Sequence, residues 1–521
     1  MSEDHCGDPP LNVPAVSVQR ALHAGGPVAR KSARAKAAAS EIGCRLAQGV
    51  FWSMAGAAAS RGLMLGAWIG VARILGRTGY GELGVIQSTV GMFGVFAGFG
   101  LGLTTTKYVA EFRSRDLARA GRIISLSWLV AVVTGGLMAL GLFVFAHWLA
   151  TQTLNARQLS GTLRIGSLIL FLSALNGAQT GALSGLEAFK TMAGVNLFTG
   201  LISLPVLVLG AWFGGLAGAV WALAINLGVN WLLNHLALRR EARHYGIRFT
   251  LGGCRRELSV LWKFSLPAVL CGAMVGPVTW ACNAFLVNQP GGYGEMGIFA
   301  ASLVFQQVLL SAAQTLNAPL LSLVSNAGPD APDELGTVNI LSSWILGVMA
   351  AIPLLCFPEI AQALLGADYD LHRFAVTFSL VVFCTTVMTF KAGLARVLAA
   401  RTLLWWGLFS NTLWAMLLLG SAAFFVRWGA PGLAASFAIA YVLNTAILVP
   451  LYSSRKLIPR RTLLSFESAG IWLILVVLVF GNIADVALRF RALAFVPCLA
   501  LAGIGFSRLK RTGFQAAREE T

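Results

Sequence analysis

Arg61 is the residue whose type and position in this sequence most clearly suggest binding chemistry. It lies near the middle of an apolar run that we place at residues 48–72. A charge at that depth in a bilayer costs about 2.5–3.5 kcal/mol on insertion scales, so such residues usually face a water-filled cavity or a partner. A guanidinium that faces a cavity is suited to bind an anionic group such as a phosphate. The alternative is a structural arginine that donates to carbonyl groups of neighbouring helices.

Other basic residues lie at the ends of predicted spans. Lys107 ends the second span, and Lys391 and Arg396 lie near one end of the tenth, with Lys391 the deeper. Each either contacts an anionic substrate at the mouth of a cavity or anchors its helix at the interface with water. Arg73 lies with Arg77 on the opposite side of the membrane, where basic residues are otherwise rare, and this favours a functional role for Arg73.

Uncharged polar side chains within the predicted spans form a third set. They could contact sugar hydroxyls across a cavity, or they could hydrogen-bond one helix to another, which is the commoner case in membrane helices. The candidates are Asn176, Gln179, Asn283, Gln306, Gln314 and Asn317.

Sequence patterns of catalysis are absent. The chain has no GxxxxGK[ST] phosphate-binding loop, no Ser/His/Asp pattern and no carboxylates paired at helical spacing within a span. Its eight cysteines form no CxxC pair, and its six histidines show no metal-ligand spacing. We therefore predict a protein that is not an enzyme and that holds no metal and no cofactor.

The composition indicates the elements that must position these residues. Of 521 residues, 57% are apolar and only 12% are charged, whereas soluble domains carry about 25% charged residues. This excludes a soluble enzyme, a disordered protein and a disulfide scaffold, and it predicts an all-α polytopic membrane protein. The net charge of +18 is typical of basic cytoplasmic loops and does not indicate a nucleic-acid partner.

Fourteen apolar stretches of about bilayer length follow one another along the chain. With both termini in the cytoplasm, 30 of the 39 Lys and Arg residues fall on the cytoplasmic side, as the positive-inside rule requires. The predicted organisation is a flexible cytoplasmic tail (1–46), a six-helix lobe (47–238), a basic cytoplasmic linker (239–262), a second six-helix lobe (263–453), a basic loop with helices 13 and 14 (454–507) and a cytoplasmic tail (508–521).

An internal repeat supports the two lobes. Residues 79–84 read Gly-Tyr-Gly-Glu-Leu-Gly, and residues 292–297 read Gly-Tyr-Gly-Glu-Met-Gly, at an offset of 213. An even number of spans separates them, so the lobes form a parallel repeat, and such transporters bind substrate between their halves. Glu82 and Glu295 are equivalent in this repeat. Each complements a helix dipole from the first turn, and coupling to a cation is the alternative role.

Several motifs resemble those of the Wzx-type polysaccharide flippases, which belong to the multidrug/oligosaccharidyl-lipid/polysaccharide exporter superfamily. The resemblance covers roughly residues 47–455 and rests on residues 73–84, 100–102, 107–112, 185–190, 263–267 and 365–369. It implies two six-helix lobes around a cationic cavity, with two extra helices. It also implies a function: cation-driven transfer of undecaprenyl-diphosphate-linked oligosaccharide to the periplasmic leaflet of the bacterial inner membrane, for exopolysaccharide, capsule or O-antigen assembly.

The resemblance further implies that the cations named above, and the polar residues within the spans, contact the diphosphate and the glycan. Membrane lipids, a polysaccharide polymerase and chain-length machinery are the expected partners. Lipid II flippases share Ser60-Arg61 and residues 71–74, and their first-span arginine lines the cavity. This chain lacks clear counterparts of their other cavity arginines, so a lipid II flippase is an alternative, as is a drug or small-cation antiporter of the same superfamily.

Two functions outside transport are less favoured. An O-antigen ligase-like enzyme would need a large periplasmic loop, which the predicted topology does not provide. A membrane scaffold has no positive feature in the sequence.

Overall fold

The structure is a computed structural model, and it describes residues 27–250, 252–258, 266–314, 333–401, 403–455 and 466–486, with a few isolated positions between 316 and 324 and after 490. Of residues 27–59 it describes the backbone alone. Two compact units are distinguished, Met1–Ala59 and Ser60–Thr521. The first unit is helical from Pro27 onward.

All regular secondary structure in the described residues is helical. The helices before the linker are α1 (Pro27–Gly98), α2 (Leu101–Phe112), α3 (Leu117–Trp148), α4 (Ser160–Gly185) and α5 (Phe189–His244). Those after it are α6 (Leu266–Ala273), α7 (Gly276–Val287), α8 (Gly292–Gln314), α9 (Asp333–Cys356), α10 (Pro358–Leu365), α11 (Leu371–Ala400), α12 (Leu404–Phe425), α13 (Ala430–Ser454) and α14 (Phe466–Ile483). Short helical turns lie at Leu149–Thr153, Arg157–Leu159, Cys254–Glu257 and Val426–Trp428.

Nine stretches of the described residues are long and apolar enough to cross a membrane. Two of them, Ser60–Phe112 and Phe189–His244, are 53 and 56 residues long. A straight helix of that length would measure about 80 Å, far more than the 30 Å of a hydrocarbon core. Each of these stretches therefore contains two of the predicted spans.

A glycine with left-handed backbone angles divides each of these long stretches. Gly76 has φ 65° and ψ 179°, and Gly215 has φ 53° and ψ −137°. A Cβ atom on Gly218 would lie 2.0 Å from the carbonyl oxygen of Gly210. These two residues would be about 12 Å apart along a straight helix. The chain thus reverses at Gly215, and its two limbs pack backbone against backbone.

The helices before the linker and those after it pack as two sets. In the first set, α4 packs against α2, α3 and α5. In the second, α11 packs against α8, α9, α13 and α14. The most apolar part of α11 is 78% buried, whereas that of α3 is 22% buried, so α11 is a central helix and α3 exposes a broad apolar face of the kind that contacts lipid.

The prediction of an all-α membrane protein is confirmed, and the count of fourteen spans stays a prediction. The expected span at 263–287 is divided between α6 and α7, because Pro277 lies in the first turn of α7, where its fixed φ favours a helix start. The expected span at 489–507 lies almost wholly outside the described residues.

The domain boundaries also stay predictions. The structure differs from the expected flexible tail in one respect, since residues 27–46 are helical. This stretch is rich in alanine, the residue with the highest helix propensity.

The close approach at Gly210 and Gly218 can be tested by adding one methyl group. We expect Gly218→Ala to lower the melting temperature of the purified protein in detergent, because the new Cβ clashes with the Gly210 carbonyl and overpacking costs about 1–3 kcal/mol. Gly214→Ala is the matched control, since a Cβ there meets no atom within 4 Å. Equal melting temperatures for the two variants would contradict the hairpin.

Candidate functional site: a chamber between the two halves

The two copies of the repeated hexamer meet face to face. A Cβ on Gly81 would lie 1.9 Å from the carbonyl oxygen of Tyr293, and a Cβ on Gly297 would lie 1.9 Å from that of Arg77. The second limb of α1 and the first turns of α8 therefore cross at backbone contact, as small residues permit in membrane helices. Equivalent parts of the two halves thus form one crossing, which closes one end of the space between them.

A cavity of about 520 Å³ lies beside this crossing. We call it the chamber. Both limbs of α1 contribute to its wall, with Arg61 on the first limb and Ser88 on the second. A continuous helix would place these residues about 40 Å apart, so their meeting confirms that α1 folds back at Gly76. The remaining lining residues are Met64, Leu65, Trp68, Tyr80, Leu83, Gly84, Gln87, Thr279, Asn283, Met296, Ala300, Leu303, Val304, Gln307, Val308 and Ser311.

Arg61 lies partly buried in the chamber wall. Its NH1 donates to the carbonyl oxygen of Ser311 on α8 at 2.9 Å. No second hydrogen bond or ion pair joins its guanidinium to the described residues, although an arginine carries five N–H donors. Arg61 therefore makes the contact with a neighbouring helix that the structural alternative predicts, and its role in ligand binding stays a prediction.

Several neutral polar side chains lie among the mostly apolar lining of the chamber. Gln87 and Gln307 are exposed to it. The Asn283 amide donates from Nδ2 to Ser88 Oγ at 2.8 Å, while its Oδ1 is buried without a partner among the described residues. None of the described lining residues is acidic. The chamber thus offers one cation, amides and hydroxyls, a set suited to a neutral or anionic polar ligand.

Asn283 and Arg61 are the predicted site residues that the structure brings to the chamber. Gln306 instead donates to Thr385 on α11 at 3.1 Å. The next residue, Gln307, faces the chamber, because one step along a helix turns a side chain by about 100°. Sequence reasoning missed Gln87 and Gln307. Both lie three or four residues from other lining positions, and this helical spacing is the pattern that could have identified them.

Asn176 and Gln179 join α4 to α5 and lie away from the chamber. Asn176 donates to the Leu227 carbonyl at 3.2 Å and accepts from Asn234 at 3.3 Å. The Gln179 amide, oriented to satisfy both of its groups, donates to the Trp231 carbonyl at 3.1 Å and accepts from its indole at 3.2 Å. These are the interhelical hydrogen bonds that the alternative reading described.

The cations of α11 also lie outside the chamber. Arg396 is 4% exposed and donates to Asn339 Oδ1 at 2.7 Å, Asn317 Oδ1 at 2.6 Å and Ser343 Oγ at 3.0 Å. Its hydrogen bonds to Asn339 and Ser343 therefore join α11 to α9. Lys391 lines a separate cavity, described below. Lys107 is exposed, stacks over Tyr108 at 5.4 Å and is not part of the chamber wall.

Arg73 contributes to the contacts that close one end of the molecule. Its NH2 donates to the Ala363 carbonyl at 2.7 Å. Nearby, the backbone N–H of Arg77 approaches Asp368 Oδ2 at 3.4 Å. Burial, with the charge of Asp368, raises the pKa of Tyr369, so this phenol stays a neutral donor facing the Ala72 carbonyl at 3.5 Å. These contacts join the first half to α10 and to the loop between α10 and α11.

The two glutamates of the repeat have polar partners beside the same crossing. Glu295 forms an ion pair with Arg373 at 3.0 Å and accepts from the backbone N–H of Ala430 at 2.8 Å, at the start of α13. Glu82 accepts from Gln158 at 3.3 Å. A carboxylate at a helix start is favoured by the helix dipole, so the contacts of Glu295 fit the structural reading.

A chamber between two sets of membrane-length helices is an arrangement typical of helical membrane transporters. Comparison with known proteins gives the family: residues 46–324, more than half of the chain, match the model of the polysaccharide biosynthesis protein family. The chain belongs to this family, as the sequence motifs predicted.

A curated relative supports this assignment. The EPS I polysaccharide export inner membrane protein EpsE of Ralstonia nicotianae is 26% identical over 220 residues, which cover 42% of this chain. The chain spans about half the length of the curated relatives it matches.

Solved structures share the fold. An inward-facing multidrug resistance MATE family transporter of the MOP superfamily is similar with a TM-score of 0.63, at 15% identity over 76% of this chain and 94% of the other. The lipid II flippase MurJ in an inward closed conformation gives 0.64, at 13% identity over 88% and 99%. These proteins are named as an export protein, a transporter and a flippase, which agrees with the prediction that the chain is not an enzyme.

The orientation of Gln306 and Gln307 can be tested with two neighbouring cysteines. In a cysteine-free background, we expect Gln307→Cys to react with a water-soluble methanethiosulfonate reagent at least about tenfold faster than Gln306→Cys. The chamber admits water, and burial suppresses the thiolate by a factor of ten for each unit of raised pKa. Equal rates, or a faster reaction at residue 306, would show that the chamber is assigned to the wrong helix face.

Proposed function

We propose that this chain is a flippase that moves undecaprenyl-diphosphate-linked oligosaccharide units from the inner to the outer leaflet of the bacterial inner membrane, for exopolysaccharide, capsule or O-antigen assembly. The observation that carries the proposal is Arg61, a cation with unused donors on the wall of a chamber without acidic lining. A guanidinium forms paired, charge-assisted hydrogen bonds with phosphate oxygens. The amide groups of Gln87 and Gln307 suit sugar hydroxyls.

The contact between Arg61 and Ser311 suggests how binding is coupled to movement. The guanidinium joins α1 to α8 through a single neutral acceptor. A diphosphate that enters the chamber would compete for this guanidinium, because a phosphate can accept two parallel bonds from it and also carries the opposite charge. Substrate binding would then weaken one contact between the halves and favour their rearrangement.

The contacts at the closed end must break for the chamber to open there. They include the backbone approaches at Gly81 and Gly297, buried side chains such as Met296, and the hydrogen bonds of Arg73 and Tyr369. Each such hydrogen bond contributes about 0.5–1.5 kcal/mol, and ligand binding would have to offset the loss of these contacts. In the topology of the positive-inside rule, this end faces the periplasm and both termini are cytoplasmic.

The names of the relatives agree with this function. EpsE is a polysaccharide export inner membrane protein, and MurJ is a lipid II flippase. A polymerase and chain-length machinery are the partners that would take up the product. Coupling to a cation gradient through Glu295 would require the cation to displace Arg373 from the carboxylate. The acid-free chamber disfavours a cationic drug as cargo.

Substitution of Arg61 tests the proposal in cells that lack the native gene. We expect Arg61→Ala to reduce surface polymer about tenfold or more, since a hydrogen bond to a charged group contributes about 1.5–3 kcal/mol. Lipid-linked oligosaccharide should accumulate on the inner leaflet, where a periplasm-restricted glycosidase does not reach it.

Arg427→Ala provides the control. Arg427 stacks on Phe424 and Trp428, outside the chamber, and its removal should leave polymer output unchanged. Normal polymer from the Arg61→Ala strain, at a normal level of inserted protein, would refute the proposed function.

A further inference from the structure

A second cavity lies within the second set of helices. It has a volume of about 410 Å³ and lies between α11, the start of α12 and the last turns of α13. None of the residues that line it belongs to the chamber wall. Most of its lining is apolar, including Met388, Leu394, Leu398, Leu403 and Leu448.

Lys391 contributes a cation to this cavity. Its ammonium donates to Asn444 Oδ1 and lies 5.3 Å from the ring centroid of Tyr441. No carboxylate of the described residues pairs with it, and an ammonium carries three donors. Lys391 is therefore a partly buried charge whose partners in the described structure are neutral.

Asn444 is held in place and so fixes the position of the ammonium. Its Nδ2 donates to the Ser410 carbonyl at 2.9 Å, and its Oδ1 also accepts from Ser410 Oγ at 3.3 Å. Asn444 is fully buried. Asn444 on α13 and Ser410 on α12 thus form a rigid polar support that holds the Lys391 ammonium at the cavity.

Tyr452 supplies a second observation that points to a ligand. Its side chain lines the cavity and is 3% exposed. Its hydroxyl makes no hydrogen bond of normal geometry to the described residues, and its polar neighbour is Ser410. Buried hydroxyls are almost always hydrogen-bonded. The Tyr452 hydroxyl and the Lys391 ammonium thus give an otherwise mostly apolar cavity two polar donors whose described neighbours are neutral.

We infer that this cavity is a binding site for the phosphate group of an anionic amphiphile, with Lys391 as the cation and Tyr452 as a hydrogen-bond donor. The apolar leucines and methionine around these two groups fit the tail of such a molecule better than a fully hydrated ion. The site is separate from the chamber, and the inference does not depend on the proposed function.

Binding to the purified full-length protein tests the inference. The probes are phosphatidic acid, diacylglycerol with the same acyl chains and inorganic phosphate, each titrated in neutral detergent while thermal unfolding is followed. We expect phosphatidic acid to raise the melting temperature and diacylglycerol to leave it unchanged. A rise with inorganic phosphate alone would retain the phosphate site and identify a free ion as its occupant.

Four variants locate the effect. Lys391→Met keeps the length of the side chain and should weaken the response at least tenfold in apparent affinity, whereas Lys391→Arg should retain most of it. Tyr452→Phe removes only the hydroxyl without a partner, so the fold is preserved and the affinity should fall several-fold. Arg427→Ala, at an arginine that lines neither cavity, should bind as the parent protein does.

The inference is overturned if Lys391→Met and Tyr452→Phe bind phosphatidic acid like the parent protein, or if diacylglycerol produces an equal response. A loss confined to Arg61→Ala would also overturn it, since the anion would then bind in the chamber.

Discussion

The need to satisfy charged and polar groups away from water governs the arrangement of these helices. Arg61, Lys391 and Arg396 all lie within membrane-length helices, and each is compensated differently. Arg396 has neutral acceptors on several of its nitrogens, Lys391 has one amide oxygen and an aromatic face, and Arg61 has one carbonyl. An unsatisfied buried charge is costly, and the three cations differ in how many of their donors have acceptors among the described residues. Arg396 has the most, which supports a structural role for it, whereas the fewer contacts of Arg61 and Lys391 support the ligand contacts proposed above.

The sequence predicted those parts of the structure that follow from local pattern. Apolar runs of bilayer length indicated an all-α membrane protein, motifs indicated the family, and the central position of Arg61 in its run indicated a chamber cation. What the sequence could not predict is which neighbour each side chain meets. Gln306 and Gln307 are the same residue type in one span, but a helix turns by about 100° between them. Gln306 therefore contacts a neighbouring helix, whereas Gln307 lines the chamber.

The repeated hexamer shows the same limit of sequence reasoning. Its two copies indicated a duplicated lobe, yet nothing in a linear repeat requires the copies to touch. In the structure they pack against each other, and Gly81 and Gly297 are needed because backbone occupies the space of a Cβ at each position. A motif that looked like a helix start is thus also the contact surface between the halves. Tyr80, Leu83 and Met296 of the two hexamers are also buried in the core, so the crossing combines backbone contacts with packed side chains.

The two halves share a repeated motif, but they do not share the polar side chains that line the chamber. At the repeat offset of 213, the equivalents of Arg61, Gln87 and Ser88 are Met274, Ala300 and Ala301. The first half therefore supplies the charge and much of the polar wall, while the second supplies Asn283, Gln307 and the carbonyl that holds Arg61. A ligand with a charged end and a neutral polar end would lie in one orientation across this interface, with its anion against α1. The second half bears its own unmatched cation, Lys391, where the first has Ala178 at the same offset. The two halves have thus kept one architecture and diverged in the side chains that face their cavities.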